Sequence, residues 1–169
     1  FWDAVSFAWN GSCAGLSTTS LLTFIDHAEV QALWPDYTIP QPLHNETLGD
    51  NSRYFINKYQ VDQYGLAQRT IVSTVMNSNT VMGTVADLKK LLLNDPDSMV
   101  WLGIGCQTGD CWHAMVAYAV GDHPDPTAIS IRIYDPNRPG VDTATVRVDT
   151  VSKVWYYSGF PGWGGNKNL

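Results

Sequence analysis

The chain has 169 residues, enough for one domain with a substantial hydrophobic core. Its 10 basic and 16 acidic residues give a formal net charge of −6, and the basic residues do not cluster. Nucleic-acid binding therefore has no electrostatic basis in this sequence. No apolar run is long enough to cross a membrane. No signal peptide is recognisable, which predicts a mature chain whose leader has been removed.

The first predicted helix begins at Cys13, after an aromatic-rich lead-in, and runs to about Ile25. Ser12 is of a residue type that favours the N-cap position. Cys13 would then lie in the first turn, where unpaired backbone N–H groups and the helix dipole stabilise a thiolate. The same pattern also fits a small buried apolar residue. The face predicted to pack on the core consists of Leu21, Leu22, Phe24 and Ile25.

Further helical patterns fill the first half of the chain. Residues 28–33 continue or restart the first helix, and residues 35–51, rich in Pro, Asn and Asp, are predicted to form a loop. Residues 52–64 are predicted to be helical. The pattern of residues 66–83 fits either a short strand or a helix, and both alternatives stay open.

The hydrophobic period changes after a last helix, which opens with a capping-box-like sequence from Thr84 to Asp87 and ends at Asn94. Beyond it, apolar and alternating runs predict strands, followed by an ordered aromatic loop or a frayed end. Helices followed by a meander of strands predict an α+β fold with an antiparallel sheet. We expect one domain over residues 1–169, with a helical part to about residue 95 and a β part from about residue 96. The predicted strands are 99–106, 112–120, 128–134, 145–148 and 153–157.

The three cysteines are informative as a set. Cys106 and Cys111 flank a turn-like tetrapeptide between two apolar runs, an arrangement that brings residues within disulfide distance. That pairing would leave Cys13 as a free thiol in an oxidising, extracellular compartment. The alternative is a cytosolic chain with three reduced cysteines.

A cysteine nucleophile needs a base within hydrogen-bond reach. Three of the four histidines, His27, His44 and His123, lie in polar or proline-rich surroundings and are interpreted as surface residues. His113 differs because it opens an apolar strand. There it serves either as a base or as a buried, hydrogen-bonded core residue.

Strand register suggests a partner for His113. If Val120 faces Ala128 across the connecting loop, His113 lies directly opposite Asp135, unless a bulge shifts the register. A carboxylate there would fix the tautomer of the imidazole and stabilise the imidazolium. The alternative is that Asp135 only begins a turn, since Asp-Pro is a common turn dipeptide.

Three segments resemble those of papain-like cysteine peptidases. Gly11-Ser12-Cys13-Ala14-Gly15-Leu16-Ser17 is similar to the nucleophile segment of smaller bacterial members. His113 to Val120 resembles their histidine strand, and Ile133 to Asn137 resembles the strand that carries the third residue. The resemblance implies a papain-like fold, in which the nucleophile helix packs on a C-terminal antiparallel sheet.

The resemblance also implies roles for individual residues. Cys13 would be the nucleophile, His113 the base and Asp135 the orienting residue, with Asn137 as the weaker candidate for that third role. Papain has Gln six residues before its cysteine, where this chain has Phe7. Asn10, with the backbone N–H of Cys13, is therefore the expected oxyanion donor.

The implied activity is thiol-dependent hydrolysis of peptide bonds in a peptide or protein substrate, with no cofactor and no metal. Because the chain starts shortly before Cys13, we expect a form already separated from a propeptide. Acyl or peptidyl transfer and hydrolysis of cell-wall peptides are alternatives on the same residues. A different class is a non-catalytic binding module that keeps the fold and binds its partner through its tryptophans and its aromatic tail, Phe160 to Gly165.

Overall fold

The computed structural model consists, in its described part, of helices followed by strands. The structure describes residues 12–33, 35, 50–95, 97–106, 111–160, 162–167 and 169. The helices are α1 (Cys13–Ile25), α2 (His27–Leu33), α3 (Asp50–Asp62), α4 (Leu66–Ser78) and α5 (Val81–Asn94), and the strands are β1 (Val100–Gly105), β2 (Trp112–Asp122), β3 (Ala128–Tyr134), β4 (Thr145–Asp149), β5 (Val154–Tyr157) and β6 (Gly164–Gly165).

The strands form one six-stranded sheet in chain order, and every neighbouring pair is antiparallel. This confirms the predicted α+β class with an antiparallel meander. The five predicted strands match the observed bounds within one or two residues, because their apolar runs and alternation mark them clearly. The short β6, Gly164–Gly165, was not predicted, since two glycines carry no hydrophobic pattern.

The main core lies between the sheet and α5. Val85 and Leu88 of α5 are buried together with Ile104 of β1, Met115 of β2 and Trp155 of β5. Residues two apart on a strand share a face of the sheet. Three side chains at one end of the sheet point to this core face: those of His113, Asp135 and Tyr157. Each of these residues lies two positions along the chain from a buried core residue.

The packing face of α1 differs from the prediction. Phe24 and Ile25 are 57% and 58% exposed, so the predicted core-facing stripe is wrong at these two residues, whereas Leu21 and Leu22 are half-buried. Gly15 lies so close to α3 that a Cβ there would overlap the carbonyl oxygen of Ile56. Small side chains permit this close packing, which larger apolar side chains would prevent. The buried residues of α1 are Ala14, Gly15, Ser17, Thr19, Ser20 and Thr23.

The region around residue 80 also differs from the sequence interpretation. Residues 66–83 form α4 and the first residues of α5, which resolves the open choice in favour of helix. Thr80 is the N-cap of α5, and its Oγ1 accepts a hydrogen bond from Gly83 N–H at 3.1 Å. The predicted cap at Thr84 is wrong because burial of Val81 extends the helix one turn upstream. The Thr84 hydroxyl donates instead to the carbonyl of Leu169 at 2.8 Å.

Two predicted connections fall largely or wholly outside the described residues. Of the predicted loop 35–51, the structure describes residue 35 and the start of α3 at residues 50–51. The turn at residues 107–110 lies outside the described part. Among the described helices, none combines the length and the apolar character that crossing a membrane would take.

Candidate active site

Cys13 is the first residue of α1, and hydrogen bonds hold this helix against both of its neighbours. The Ser17 hydroxyl donates to the carbonyl of Ala114 on β2 at 2.8 Å, in a buried position. The backbone N–H of Gly15 donates to Oε1 of the buried Gln60 on α3 at 2.9 Å. Ser12 occupies the N-cap position without a side-chain bond to the helix, so the amide of Gln60 caps this end instead.

His113 lies between the thiol and a carboxylate. Its Nε2 is 2.7 Å from Oδ1 of Asp135, and its ring also lies close enough to the thiol of Cys13 for each group to shift the pKa of the other. Since Nε2 faces Asp135, Nδ1 is the nitrogen left for Cys13. His113 and Asp135 are 4% and 1% exposed, whereas Cys13 is half-buried. The structure thus brings together the three residues that the sequence singled out.

The register that joins His113 to Asp135 is not the predicted one. Val120 pairs with Ile131 rather than with Ala128, and Val116 pairs with Tyr134. A bulge between Ala117 and Ala119 changes the register by one residue along β2. Asp135 therefore lies diagonally across the ladder from His113 instead of directly opposite. Diagonal neighbours share a face and lie within reach of long side chains, so the contact forms although the predicted pairing was wrong.

The carboxylate of Asp135 is held by three donors. Oδ1 accepts a hydrogen bond from the backbone N–H of Asn137 at 2.9 Å in addition to the contact with His113. Oδ2 accepts a short hydrogen bond from the hydroxyl of Tyr157. The side chain of Asn137 is exposed, so this weaker candidate contributes a backbone donor, and the carboxylate on His113 is that of Asp135.

These contacts shift the pKa values of all three groups. Burial alone would raise the pKa of the Cys13 thiol, but hydrogen bonds from His113 and the backbone N–H of Ala114 lower it below its ordinary value. Burial opposes the imidazolium as well, yet the bonds to Asp135 and Cys13 raise the pKa of His113 to about 9. The pKa of Asp135 is lowered, because bonds from His113, Tyr157 and Asn137 outweigh its desolvation. Together these directions favour the thiolate and imidazolium pair over the neutral thiol and imidazole.

An aromatic cluster packs against the ring of His113. The Phe160 ring packs edge-on against His113, with centroids 5.4 Å apart and planes 77° apart, and it packs in the same way against Tyr157. Trp163 lies against Phe160 at 5.2 Å. Phe160 and Trp163 are therefore part of the site, beside the buried contact between His113 and Asp135.

A disulfide lies at the start of the histidine strand. The sulfur atoms of Cys106 and Cys111 are at bonding distance, 1.95 Å, and their Cα atoms are 5.4 Å apart. The pair lies directly beyond the last rung of the β1–β2 ladder, Gly105 with Trp112. The predicted pairing is present, and Cys13 is the free cysteine.

Several residues of the site were missed from the sequence. Gln60 carried a usable signal, because it follows the buried Ile56 by one helical turn, where an apolar residue would be expected. Tyr157 and Phe160 carried none, since their approach to Asp135 and His113 depends on strand order and on the path of the tail. Asn10, the expected oxyanion donor, lies outside the described residues.

The other histidines take no part in this arrangement where the structure describes their side chains. His123 is half-exposed, and its Nδ1 accepts a hydrogen bond from the backbone of Asp125 at 3.0 Å. The side chain of His27 and the whole of His44 lie outside the described part. Within that part, no group of three or more His, Cys, Asp and Glu side chains is placed to hold a metal ion. No protein-family model, curated protein or solved structure matches this chain.

Proposed function

We infer that this protein is a thiol-dependent peptidase of papain-like fold. The observation that carries the proposal is the buried His113, whose ring contacts Asp135 through Nε2 and the Cys13 thiol at the start of α1. A thiol with a lowered pKa, a base beside it and a carboxylate that orients the base are the elements of nucleophilic acyl transfer. The half-buried thiol remains accessible to a substrate.

The first half-reaction forms an acyl-enzyme. The Cys13 thiolate attacks the carbonyl carbon of a peptide bond, a C–S bond forms, and the carbonyl π electrons move to oxygen. The imidazolium of His113 gives its Nδ1 proton to the amide nitrogen as the C–N bond breaks, so that a neutral amine leaves. His113 is then neutral, and the acyl group is bound to Cys13 as a thioester.

The second half-reaction returns the starting state. Neutral His113 takes a proton from water through Nδ1, and the oxygen of that water attacks the thioester carbonyl. The C–S bond breaks, a carboxylic acid leaves, and the thiolate and imidazolium pair is restored. Asp135 stays ionised throughout and stabilises the imidazolium. The N–H of Cys13 and the side chain of Asn10 are the proposed donors to the tetrahedral oxyanion.

The disulfide supports an extracellular location and a peptide or protein substrate found there. Disulfides persist in oxidising compartments and are rare in the cytosol. The pair next to the histidine strand is thus consistent with a secreted enzyme.

The test combines labelling and a variant. An epoxysuccinyl inhibitor of papain-like enzymes, added without reductant, is expected to give one adduct on Cys13 by intact mass and peptide mapping. Cys13→Ala should abolish hydrolysis of a peptide substrate and keep the thermal transition of the wild type. The matched neighbour Ser12→Ala should stay active. Hydrolysis retained by Cys13→Ala would rule out the assignment.

A non-catalytic module with the same fold would give a different result. Iodoacetamide is small and reacts with the thiolate, so it reports the ionisation of Cys13 whatever the shape of the cleft. Rapid alkylation of Cys13 at pH 6 is expected here, since an ordinary thiol with a pKa of about 8.5 is almost wholly protonated at that pH. Alkylation at the rate of an ordinary thiol would favour the binding module.

A further inference from the structure

The second carboxylate oxygen of Asp135 has a partner that the proposed mechanism does not use. Oδ2 accepts the hydroxyl proton of Tyr157, whose side chain is 3% exposed. We propose that Tyr157 is a positioning residue, which holds Asp135 with Oδ1 on His113. The proposal deepens the peptidase mechanism and rests on it.

The orientation of the carboxylate depends on both oxygens. A terminal carboxylate rotates easily about its last bond, and Oδ1 must stay in the ring plane of His113 to orient that ring. The phenol anchors the opposite oxygen from β5, two strands away from the β3 end that carries Asp135. The carboxylate is therefore clamped from two sides, by β2 through His113 and by β5 through Tyr157.

The phenol has little freedom to leave this position. The chain turns back directly over its hydroxyl after β5, so closely that a Cβ at Gly159 would overlap the oxygen. The Phe160 ring packs against the same phenol with centroids 5.4 Å apart. A tyrosine in such a confined place acts as a fixed donor instead of sampling several partners.

The hydroxyl of Tyr157 donates to Asp135. The guanidinium of Arg138 also acts on this phenol and has no acceptor atom, so it cannot take the hydroxyl proton. The single hydroxyl proton of Tyr157 is then left for Asp135. Burial and the contact with Asp135 raise the pKa of Tyr157, which keeps the donor protonated.

The surrounding charges define what loss of the phenol would do. The groups that face Asp135 are His113 from β2 and Tyr157 from β5, with Cys13 beyond His113 and Arg138 beyond Tyr157, while Tyr134 on the opposite face of β3 senses only the charge of Asp135. Without the phenol, the carboxylate loses one of its donors and binds a proton at higher pH. A protonated Asp135 no longer stabilises the charge of the buried imidazolium. On the acid limb of the pH profile, the Cys13 thiolate therefore loses its cationic partner.

The experiment is the rate of Cys13 alkylation by iodoacetamide between pH 4 and pH 9 in three proteins. Tyr157→Phe should move the acid limb of the profile to higher pH by about one unit, which is roughly a tenfold lower rate on that limb. Tyr156→Phe is the matched control, since its side chain is on the other face of β5 and 49% exposed. Its profile should superimpose on that of the wild type.

The outcomes separate the two proposals. If Cys13 of the wild type is a thiolate at pH 6 and the alkylation profile of Tyr157→Phe matches that of the wild type, the positioning role is overturned. The peptidase proposal then still stands. A wild-type thiol that behaves ordinarily overturns the peptidase proposal itself. If Tyr157→Phe does not fold, Gly159→Ala decides, because a Cβ there overlaps the phenol oxygen and displaces it from Asp135. An upward shift of the acid limb in that variant supports the role, and a profile that superimposes on the wild type overturns it.

Discussion

Oδ1 of Asp135 lies 2.7 Å from Nε2 of His113 although the two residues are diagonal, not opposite, across the β2–β3 ladder. The bulge at Tyr118 makes this possible. If Tyr118 were instead paired in a regular ladder, the register of Ala119 with Arg132 would continue unchanged toward His113, and Asp135 would point to the opposite face of the sheet from His113. The bulge thus decides whether the imidazole has a carboxylate partner.

Asp135→Asn is expected to lower kcat/KM for a peptide substrate by about 10²–10⁴-fold, with the loss mainly in kcat. The amide keeps the shape of the side chain but carries no charge to stabilise the imidazolium. Steady-state kinetics near pH 7 measures the effect. Asp142→Asn, an exposed carboxylate on the neighbouring turn, is the matched control and should leave kcat/KM unchanged. A value for Asp135→Asn within twofold of the wild type would contradict the assigned role.

The sequence was sufficient for much of the fold, and the reason is physical. The strands alternate or run apolar for most of their length, so their bounds followed from the pattern. α1 showed the limit of that approach, because its packing face is defined by close contact at Gly15 and by buried hydroxyls such as Ser17. Hydrophobicity alone selected Phe24 and Ile25, which point outward.

The site was predictable where chemistry alone selects a residue. Cys13 at a helix start and His113 in an apolar strand are unusual enough to be noticed in a sequence. Tyr157 and Phe160 become neighbours of Asp135 and His113 only after β4 and β5 have paired and the tail has turned back. Because bulges have no reliable hydrophobic pattern, the strand register between His113 and Asp135 could not be predicted from the sequence.

The pKa of His113 predicts how stability changes with pH. Its folded value of about 9 exceeds the ordinary 6.5, so its contribution to folding is complete below about pH 6.5 and is lost as the pH rises through about 9. Cys13 titrates in the opposite sense, because its folded pKa is lowered and its contribution grows with pH up to the unfolded value. The measurement therefore uses a Cys13→Ala background, in which Asp135 still raises the pKa of His113.

In that background, urea unfolding should give a free energy at pH 6 that exceeds the value at pH 9 by on the order of 1–2 kcal/mol. The Cys13→Ala, His113→Gln protein is the control, and the difference between the two proteins isolates the imidazole from other titrating groups. Parallel pH profiles for the two proteins would show that His113 is not stabilised as a cation.

Gly15→Ala tests how tightly α1 must approach α3. The added methyl group would overlap the backbone oxygen of Ile56, which cannot move like a flexible side chain, and would disturb the bond from Gly15 N–H to Gln60. We expect a loss of roughly 3 kcal/mol in the free energy of unfolding and slower alkylation of Cys13, because the helix start is displaced. Gly121→Ala is the control, since a Cβ there meets nothing within 4 Å. Equal stabilities for the two variants would contradict this packing.

The disulfide should stabilise the start of the histidine strand by an amount set by its short loop. A loop closed over the sequence separation of 5 between Cys106 and Cys111 predicts a contribution of about 2 kcal/mol, mainly from restricting the unfolded chain. In the Cys13→Ala background, where no other thiol is present, reductant is expected to lower the urea midpoint accordingly. The same protein with Cys106→Ser and Cys111→Ser should start at the lower midpoint and not respond to reductant.

Since β2 begins one residue after Cys111, the loss of stability should appear first as faster amide exchange at Trp112 and His113. Midpoints that coincide with and without reductant would mean that the β1–β2 ladder holds this end of the strand unaided.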